Sequence, residues 1–362
     1  MRIKRATRQY EAWLAEHTPI VPADLVLKHR QMTKGRYPFL RATFYRWAQL
    51  WPDVCTELTN APVVLAIGDL HVENFGSWRD EEGRLIWGAN DFDEAYPLPY
   101  TNDLVRLATS AALAIESDQL TLRIRDACAA LLDGYISSLK AGGKPYVLAE
   151  NHAWLHAAIT SQMREPATFW SKLDDLPTVQ TKLPAGAIRA LVRRLPTPGL
   201  GYRAVHRVAG LGSLGRQRWV ALADWHGGKI AREAKALAPS ACCWAQASDG
   251  ACRLLYHTII GRAIRAPDPF VGIQDNWIVR RLAPDCVRID LESLAANRDE
   301  QRLLHAMGWE AANVHLGSRK AIDAVMRDLN QRPAGWLHAA AQQMVERITD
   351  DWEDWKRDPL DD

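Results

Sequence analysis

The chain has 362 residues, of which 48% are hydrophobic, 45 are Lys or Arg and 43 are Asp or Glu. This length can bury one large core or two lobes of ordinary size without disulfide or metal staples. Because the charges nearly cancel, no overall field favours nucleic acid or a membrane surface, and we expect neither as a partner.

Residues 1–60 are predicted to form a helical arm. Met1–Arg5 is basic, but the apolar segment of a signal peptide does not follow it, and no run in the chain reaches membrane-spanning length, so we expect a cytoplasmic protein. An amphipathic helix is predicted at 6–17. The basic and aromatic residues at 28–47 are compatible with nucleic-acid contact, but a helix that packs its rings while its arginines pair with acids or phosphate explains them better. Arg41 is the candidate in this segment for binding a phosphate through two N–H donors of its guanidinium.

The central candidate site consists of two blocks. These are Gly68-Asp69-Leu70-His71-Val72-Glu73-Asn74-Phe75 and Asn90-Asp91-Phe92-Asp93-Glu94. The apolar run 63–67 predicts a buried strand, so Asp69 stands at a strand end. The acidic turn 80–83, followed by a second short strand, predicts a hairpin-like return that brings Asp91 beside Asn74. Oxygen ligands would then meet at one end of a small sheet.

Phosphoryl transfer needs a carboxylate that orients and deprotonates the attacking hydroxyl, and oxygen ligands that hold Mg²⁺ on the phosphates. We assign Asp69 and Asn74 to catalysis, and Asn74, Asp91 and Asp93 to the metal. The spacing resembles the catalytic loop and metal motif of the protein-kinase superfamily, and is most similar to the aminoglycoside and choline phosphotransferases, where Gly-Asp-Leu-His-x-x-Asn is typical. The resemblance implies ATP, Mg²⁺ and a small hydroxyl-bearing acceptor of unknown identity. The alternative is that Asp69 and Asp91 only cap turns.

A second resemblance extends from the arm through both blocks. Lys28-His29 with Met32, and then Phe39-Leu40-Arg41, precede Gly-Asp-x-His-x-Glu-Asn-Phe-Gly and Asn-Asp-Phe-Asp-Glu. This order resembles an uncharacterised bacterial family catalogued as domain of unknown function 2252, and the similarity continues to the far end of the chain. That family brings no established activity, so the chemistry must be argued from the residues.

Residues 61–195 are predicted to hold the catalytic motifs and a helical lobe. The proline-rich stretch 95–100 predicts a turn, and Asp103 begins a helix whose dipole favours a carboxylate there. Apolar stripes broken by Gly and Pro predict mostly helix as far as residue 194. The Pro- and Gly-rich stretch 195–201 is the best candidate for a linker.

An antiparallel nucleotide-binding lobe is predicted at 200–295. Its strands are expected at 202–208, 218–223, 229–235, 276–282 and 286–291. Gly210, Gly212, Ser213 and Gly215 lie between the first two strands, where glycines let backbone amides approach nucleotide phosphates. A strand follows them, as in a kinase glycine-rich loop, whereas a dinucleotide site needs a helix there. A plain glycine-rich turn is the alternative.

The kinase resemblance implies a phosphate-binding lysine on the third strand of this lobe. The family pattern Lys-Glu-Ala places Arg232 at that position, a substitution that changes the donor geometry. Lys235 or Lys229 is the substitute, and we include Arg232 and Lys235 among the candidate nucleotide ligands. The next predicted helix, 251–265, has no acidic residue to pair with such a lysine. These departures favour an alternative function, a kinase-derived module that binds nucleotide without turnover.

Helices predicted at 299–315, 318–330 and 334–355 place the end of the chain, 299–358, in the helical lobe. The catalytic motifs therefore precede the glycine-rich lobe, which reverses the usual kinase order. We predict an α+β, bilobal, kinase-like fold that is circularly permuted, with a helical lobe and a small antiparallel-sheet nucleotide lobe. A structural or nucleic-acid-binding protein is the third hypothesis.

The cysteines carry no metal or disulfide signature. They are Cys55, Cys128, Cys242, Cys243, Cys252 and Cys286. Their spacing matches neither a paired zinc motif nor a disulfide framework. We expect all of them to be reduced.

Overall fold

A computed structural model describes residues 1–247, 252–291 and 299–360. The fold is α+β, as predicted, with antiparallel sheets and many helices. The helices are α1 (Ile3–His17), α2 (Pro22–Met32), α3 (Arg36–Ala42), α4 (Phe44–Val54), α5 (Tyr100–Glu116), α6 (Ile124–Ala141), α7 (Leu148–Asn151), α8 (Ala153–Ser161), α9 (Pro166–Asp174), α10 (Ala185–Arg193), α11 (Ala241–Ala245), α12 (Tyr256–Arg262), α13 (Glu300–His315), α14 (Ile322–Gln331) and α15 (Trp336–Arg357). Among these helices, none is both long and apolar enough to cross a bilayer.

The strands form three separate antiparallel sheets. They are β1 (Val63–Ala66), β2 (Phe75–Arg79), β3 (Leu85–Ala89), β4 (Tyr96–Pro99), β5 (Tyr146–Val147), β6 (Arg203–His206), β7 (Arg218–Trp225), β8 (Gly228–Ala236), β9 (Gly272–Gln274) and β10 (Trp277–Leu282). The orders are β1-β4, β2-β3-β5 and β6-β7-β8-β10-β9. The start of the helix predicted at 251–265 and the end of the segment predicted at 200–295 lie outside the described residues.

Two predicted elements are wrong. The stretch 95–100 is not only a turn, because Tyr96–Pro99 pairs with β1 as a strand. Proline is tolerated there since the sheet has only edge strands, where a missing N–H costs nothing to the ladder. The segment 286–291 is not a strand. Its Val287 exchanges hydrogen bonds with the backbone N–H and the hydroxyl of Ser77, so a side chain takes the place of a ladder partner.

Alternation along β8 divides the five-stranded sheet into two faces. One face packs its alanines, including Ala234, against helix α10. The other packs against α9 and also carries Glu233 and Lys235 toward a cavity. Arg232 therefore lies on the face opposite Lys235.

The central helices pack as closely as their backbones permit. A side-chain carbon added at Gly134 of α6 would overlap the carbonyl oxygen of His305, and one at Gly308 of α13 would overlap that of Leu131. The surrounding core includes completely buried rings, among them Trp47, Trp87, Tyr135 and Trp355. These two close approaches fix the position of α6 against α13.

The cysteine prediction was wrong for one pair. Cys243, in α11, forms a disulfide with Cys252, and their Cα atoms are 6.2 Å apart. The two cysteines are nine positions apart in the sequence, a spacing that matches no recognised motif and so did not reveal the pair. The thiols of Cys55, Cys128 and Cys242 are free and buried, as expected.

A buried carboxyl on α13 predicts a pH-dependent stability. Burial raises the pKa of Glu310 from 4.5 to about 7, and its Oε1 accepts from Asn313 Nδ2 at 2.5 Å. Between these pH values the folded state keeps a proton that the unfolded state releases, so the free energy of unfolding falls as pH rises, by about 3 kcal/mol across the window. Glu310→Gln should remove this slope.

Urea unfolding at pH 5, 6, 7 and 8 measures the effect. The variant should gain stability relative to the wild type up to pH 7 and then keep a constant difference. Glu57→Gln, at an exposed position, is the matched control and should follow the wild type. Parallel curves for wild type and Glu310→Gln would show that Glu310 is already ionised in the folded state.

Candidate active site

Asp103 of α5 holds the chain where it leaves β1. Its carboxylate accepts the backbone N–H groups of Ile67, at 2.7 Å, and Gly68, at 2.9 Å. His315 Nε2 lies 3.0 Å from the same carboxylate, and the Tyr135 hydroxyl lies 2.8 Å from His315 Nδ1. These three side chains are completely buried, and their contacts hold the chain at the end of β1.

Arg106, one turn further along α5, holds the predicted base. Its guanidinium donates to Asp69 Oδ1 from Nε at 2.8 Å and from Nη2 at 2.5 Å. The rings of Phe44 and Trp47 lie 5.0 and 4.9 Å from the guanidinium carbon. A fully buried cation is stable only when it is paired and well packed, and both conditions are met here.

The same face of α5 continues to Ser110. Its Oγ accepts the backbone N–H of Val72 at 3.1 Å. Asp103, Arg106 and Ser110 follow helical spacing, so they point the same way. One helix face therefore sets the path of residues 67–72.

Arg106 contacts only one carboxylate oxygen of Asp69, Oδ1, and does not contact the other, Oδ2. Asp69 lines a cavity of about 50 Å³, and a Cβ at Gly212 would lie only 3.4 Å from Oδ2. The glycine-rich turn therefore covers the carboxylate. Burial raises the pKa of Asp69 although Arg106 opposes it. A raised pKa brings a carboxylate closer to the working range of a general base.

Asn74 ties the two sequence blocks together. Its Nδ2 donates to the carbonyl oxygens of Asp69, at 3.1 Å, and Asp91, at 3.0 Å. Its Oδ1 accepts the Asp91 N–H at 2.8 Å. The prediction that the hairpin returns Asp91 beside Asn74 is confirmed. Since one lone pair of Oδ1 is used, the other remains for a cation.

Two cations hold the acidic pair. Lys235 Nζ lies 3.2 Å from both carboxylate oxygens of Asp91 and 2.7 Å from Asp93 Oδ2, and Arg216 Nη1 lies 3.2 Å from Asp93 Oδ2. Although burial opposes them, Lys235 and Arg280 hold the pKa of Asp91 well below its usual range. Burial and the neighbouring Asp91 carboxylate raise the pKa of Asp93. The pair thus shares its charge unevenly.

Asn74, Asp91 and Asp93 offer oxygen atoms to a cation but do not by themselves form a complete metal site. Asp93 Oδ1 is buried and has no hydrogen-bond partner among the described residues. Within those residues, no three His, Cys, Asp or Glu side chains converge into a ready-made metal site. Mg²⁺ commonly uses one or two carboxylates and takes its other ligands from phosphates and water. Asn74, Asp91 and Asp93 fit that mode.

A larger cavity of about 480 Å³ adjoins the five-stranded sheet. Basic side chains line it, namely Arg164, Arg207, Arg218, Lys235, Arg280, Arg281 and Arg288. Apolar side chains line it as well, namely Phe169, Ile278, Leu282 and Val287. Three acids, Asp91, Glu233 and Asp290, line it too, but the seven basic side chains outnumber them. Its size is typical of a small-molecule pocket, and the excess of basic side chains suits a polyanion with an apolar end.

A cavity of about 50 Å³ lies beside Asp69 and shares Asp91, Gly210 and Arg288 with the larger one. It gathers most predicted site residues, namely Arg41, Asp69, Asn74, Asp91, Asp93, Gly210, Gly212 and Ser213. Lys235 joins them from the larger cavity.

Two predicted ligands lie elsewhere. The Gly215 carbonyl accepts the Val21 N–H at 2.7 Å, and this glycine lines neither cavity. Arg232 also lines neither: its Nε donates to the Arg194 carbonyl at 2.9 Å, and its guanidinium lies over the Phe270 ring. The structure does not bring Arg232 to the other candidates, because strand alternation turns it to the far face of the sheet.

Sequence reasoning missed several residues of the site. Arg106 could have been found, because it interrupts the apolar run 104–108 of a predicted helix, whereas Lys28 appeared only as one member of the basic and aromatic segment 28–47. Arg216, Arg280 and Arg288 carried no comparable local signal. Their position depends on how the sheet meets the hairpin.

Comparison with known proteins supports part of the sequence resemblance. A family model described as "Uncharacterized protein conserved in bacteria (DUF2252)" matches residues 20–171. This range holds both sequence blocks, Arg41 and helix α5, but it stops short of the far end that the motifs implied. Among curated proteins and among solved structures, no match was found.

The Arg106–Asp69 pair predicts a large stability effect. Arg106→Met should cost about 3–5 kcal/mol of unfolding free energy, because it leaves the Asp69 carboxylate buried without its partner. The double variant Arg106→Met/Asp69→Asn should recover part of the loss. Urea unfolding at pH 7 measures both.

The matched control is Arg123→Met, which breaks an exposed pair with Asp126. It should leave the unfolding midpoint unchanged. If the single Arg106 variant were as stable as the control, the pair would not be what fixes Asp69.

Proposed function

We propose that the protein is a kinase-like phosphotransferase that transfers the γ-phosphoryl group of ATP, with Mg²⁺, to a small hydroxyl-bearing acceptor. The observation that carries this proposal is the meeting of three parts at the junction of two cavities. These are the Asp69 carboxylate, the acidic pair tied by Asn74, and the glycine-rich turn. Phosphoryl transfer depends mainly on such positioning and on charge stabilisation.

The larger cavity is assigned to the nucleotide. Its apolar side suits a base and its basic side suits the phosphates. We assign phosphate contact to Lys235 and not to Arg232, because the amine of Lys235 lies at the acidic pair. With Lys235 in this role, the arginine at position 232 no longer argues against a phosphate-binding lysine on this strand.

Asn74, Asp91 and Asp93 would hold Mg²⁺. The buried Asp93 Oδ1 without a described partner supports this assignment. When bound, the cation neutralises charge on the phosphates and orients them. Asn74 has a further role of its own, because its side chain fixes the distance between the backbones at Asp69 and Asp91.

Asp69 is proposed as the base. Its Oδ2 takes the proton of the acceptor hydroxyl while that oxygen bonds to the γ-phosphorus and the bond to the bridging oxygen of ADP breaks. Arg106 holds Oδ1 and so keeps the carboxylate from rotating. The turn at Gly212 covers the reaction from one side and limits access of water.

We extend the proposal to the architecture. The sheet β6–β10 would be the nucleotide lobe and the packed helices the other lobe, in permuted order along the chain. The supporting features are a glycine-rich turn between antiparallel β6 and β7 and a lysine at the site on β8. Geometry in space, not chain order, determines whether such a site works.

A module that binds nucleotide without turnover is the second candidate. Lys235 pairs with Asp91 and Asp93, whereas a kinase lysine pairs with a helix glutamate. The described helix α12 contains no acidic residue. Nucleotide binding without ADP formation would favour this candidate.

Nucleotide binding should depend on one of two lysines of the same strand. About 1 mM ATP with Mg²⁺ should raise Tm, because a ligand present at 100 times its Kd adds about 2.7 kcal/mol to stability. Lys235→Met should abolish the shift, since its amine lies in the site. Lys229→Met is the matched control on β8, exposed and paired with Asp174, and should keep the full shift. The absence of any shift in the folded wild type would refute nucleotide binding.

Substitutions of Asp69 and of Asp91 should have different effects on catalysis and on nucleotide binding. Asp69→Asn should lower the rate of ADP formation by roughly two to four orders of magnitude and keep the ATP-induced shift in Tm. Asp91→Asn should remove the Mg²⁺ dependence of that shift. The exposed Asp126→Asn serves as the control for both measurements. If Asp69→Asn changes only the unfolding midpoint, the carboxylate is scaffold and the proposed mechanism is wrong.

A further inference from the structure

Two donors without partners face the small cavity beside Asp69. Lys28 of α2 is 2% exposed, and among the described residues it makes no ion pair or hydrogen bond. Its Nζ lies 5.7 Å from the centre of the Tyr45 ring. Arg41 pairs with Glu73 through Nη1, but its buried Nε has no partner among the same residues. Buried donors of this kind are usually satisfied, so they call for an acceptor that enters the cavity.

The acids of the cavity do not satisfy Lys28. Four acids line the cavity: Asp69 is paired with Arg106, Glu94 with Arg216, and Asp91 and Asp93 with Lys235. Lysine is almost never fully buried unless it is paired. Burial lowers the pKa of Lys28 to about 8, so at pH 7 most molecules still carry its charge. Lys28 thus has no direct ion pair among the described residues, although Glu11, Glu94 and Asp69 lie near enough to favour its charged form.

We propose that this cavity is the acceptor subsite and that it takes a compact hydroxylated anion of the hydroxy-acid class. This proposal rests on the proposed function. The carboxylate of the acceptor pairs with Lys28 and with the guanidinium of Arg41, and its hydroxyl reaches Asp69 Oδ2. The hydroxyl oxygen bonds to the γ-phosphorus, its proton moves to Asp69, and ADP leaves with the electrons of the broken bond.

The volume of the cavity and the charge of its side chains both limit which acceptors can bind. A cavity of about 50 Å³ admits only a small molecule or a small reacting end. A cationic amine would face Lys28 and Arg41 across a short distance, and like charges repel strongly where water is excluded. The acceptor therefore differs from the amines named in the aminoglycoside and choline phosphotransferases, which the motifs resemble.

The test compares three small hydroxyl compounds of different charge without nucleotide. D-glycerate, glycerol and choline are added at about 10 mM, and Tm is measured for each, because a ligand of the folded state raises Tm. D-glycerate should raise Tm, and glycerol and choline should not. Lys28→Met should weaken the D-glycerate response at least tenfold in apparent Kd and keep the ATP-induced shift.

Lys140→Met, at an exposed position of α6, is the matched control and should respond as the wild type does. Lys28→Met replaces a buried unpaired charge with an apolar chain of similar length, so it should fold at least as well as the wild type. If it does not fold, Lys28→Gln takes its place in the same assay.

The outcomes separate this inference from the proposed function. A shift with ATP and Mg²⁺, but a D-glycerate response that is absent or no larger than that of glycerol or choline, overturns the acceptor class and leaves the phosphotransferase proposal standing. A D-glycerate response that depends on Lys28, without any nucleotide shift, supports the anion site and refutes the kinase assignment. A D-glycerate response that survives Lys28→Met also overturns the inference.

Discussion

One face of helix α5 is the constraint on which the candidate site depends. Asp103, Arg106 and Ser110 bond, in order, to the end of β1, to the Asp69 carboxylate and to the Val72 N–H. A loop that leaves a strand has no ladder to fix it, so its polar groups must be satisfied by side chains. Here a buried helix supplies them at helical spacing. The guanidinium of Arg106 is completely buried, and the unfavourable free energy of burying its charge is offset by aromatic packing and by two hydrogen bonds to Asp69 Oδ1.

Charge balance links the sheet to this loop. Arg216 bridges Asp93 and Glu94, and Glu94 in turn accepts the N–H that begins α11. Lys235 connects β8 to Asp91 and Asp93. A phosphate that competed for Lys235 would release the Asp91 carboxylate for a cation, so nucleotide and metal would favour each other's binding. Truncating one member of such a network leaves a charge unpaired and weakens the rest.

The candidate site takes residues from two parts of the chain, and the family match covers only one of them. The matched family region, residues 20–171, contains Asp69, which is the proposed base, the acidic pair and helix α5. The basic sheet and the glycine-rich turn lie outside that region, and their assignment depends on geometry. The Gly212 turn over Asp69, and Lys235 at the acidic pair, join the two parts physically. These two contacts are the structural support for assigning both parts of the chain to one site.

By itself the sequence determined the hairpin between the two blocks, the placement of Asp69 at a strand end, and the antiparallel strands around the glycine-rich turn. Those features follow from local alternation, turn residues and helix starts, which act over a few residues. Only the tertiary structure decided that Lys235 and not Arg232 reaches the acids, that Lys28 is buried beside Asp69, and that Cys243 bonds to Cys252. Strand parity puts Arg232 and Lys235 on opposite faces, but which face meets the hairpin depends on packing between distant segments. Local patterns describe the backbone, whereas these contacts join residues that are brought together only when the core forms.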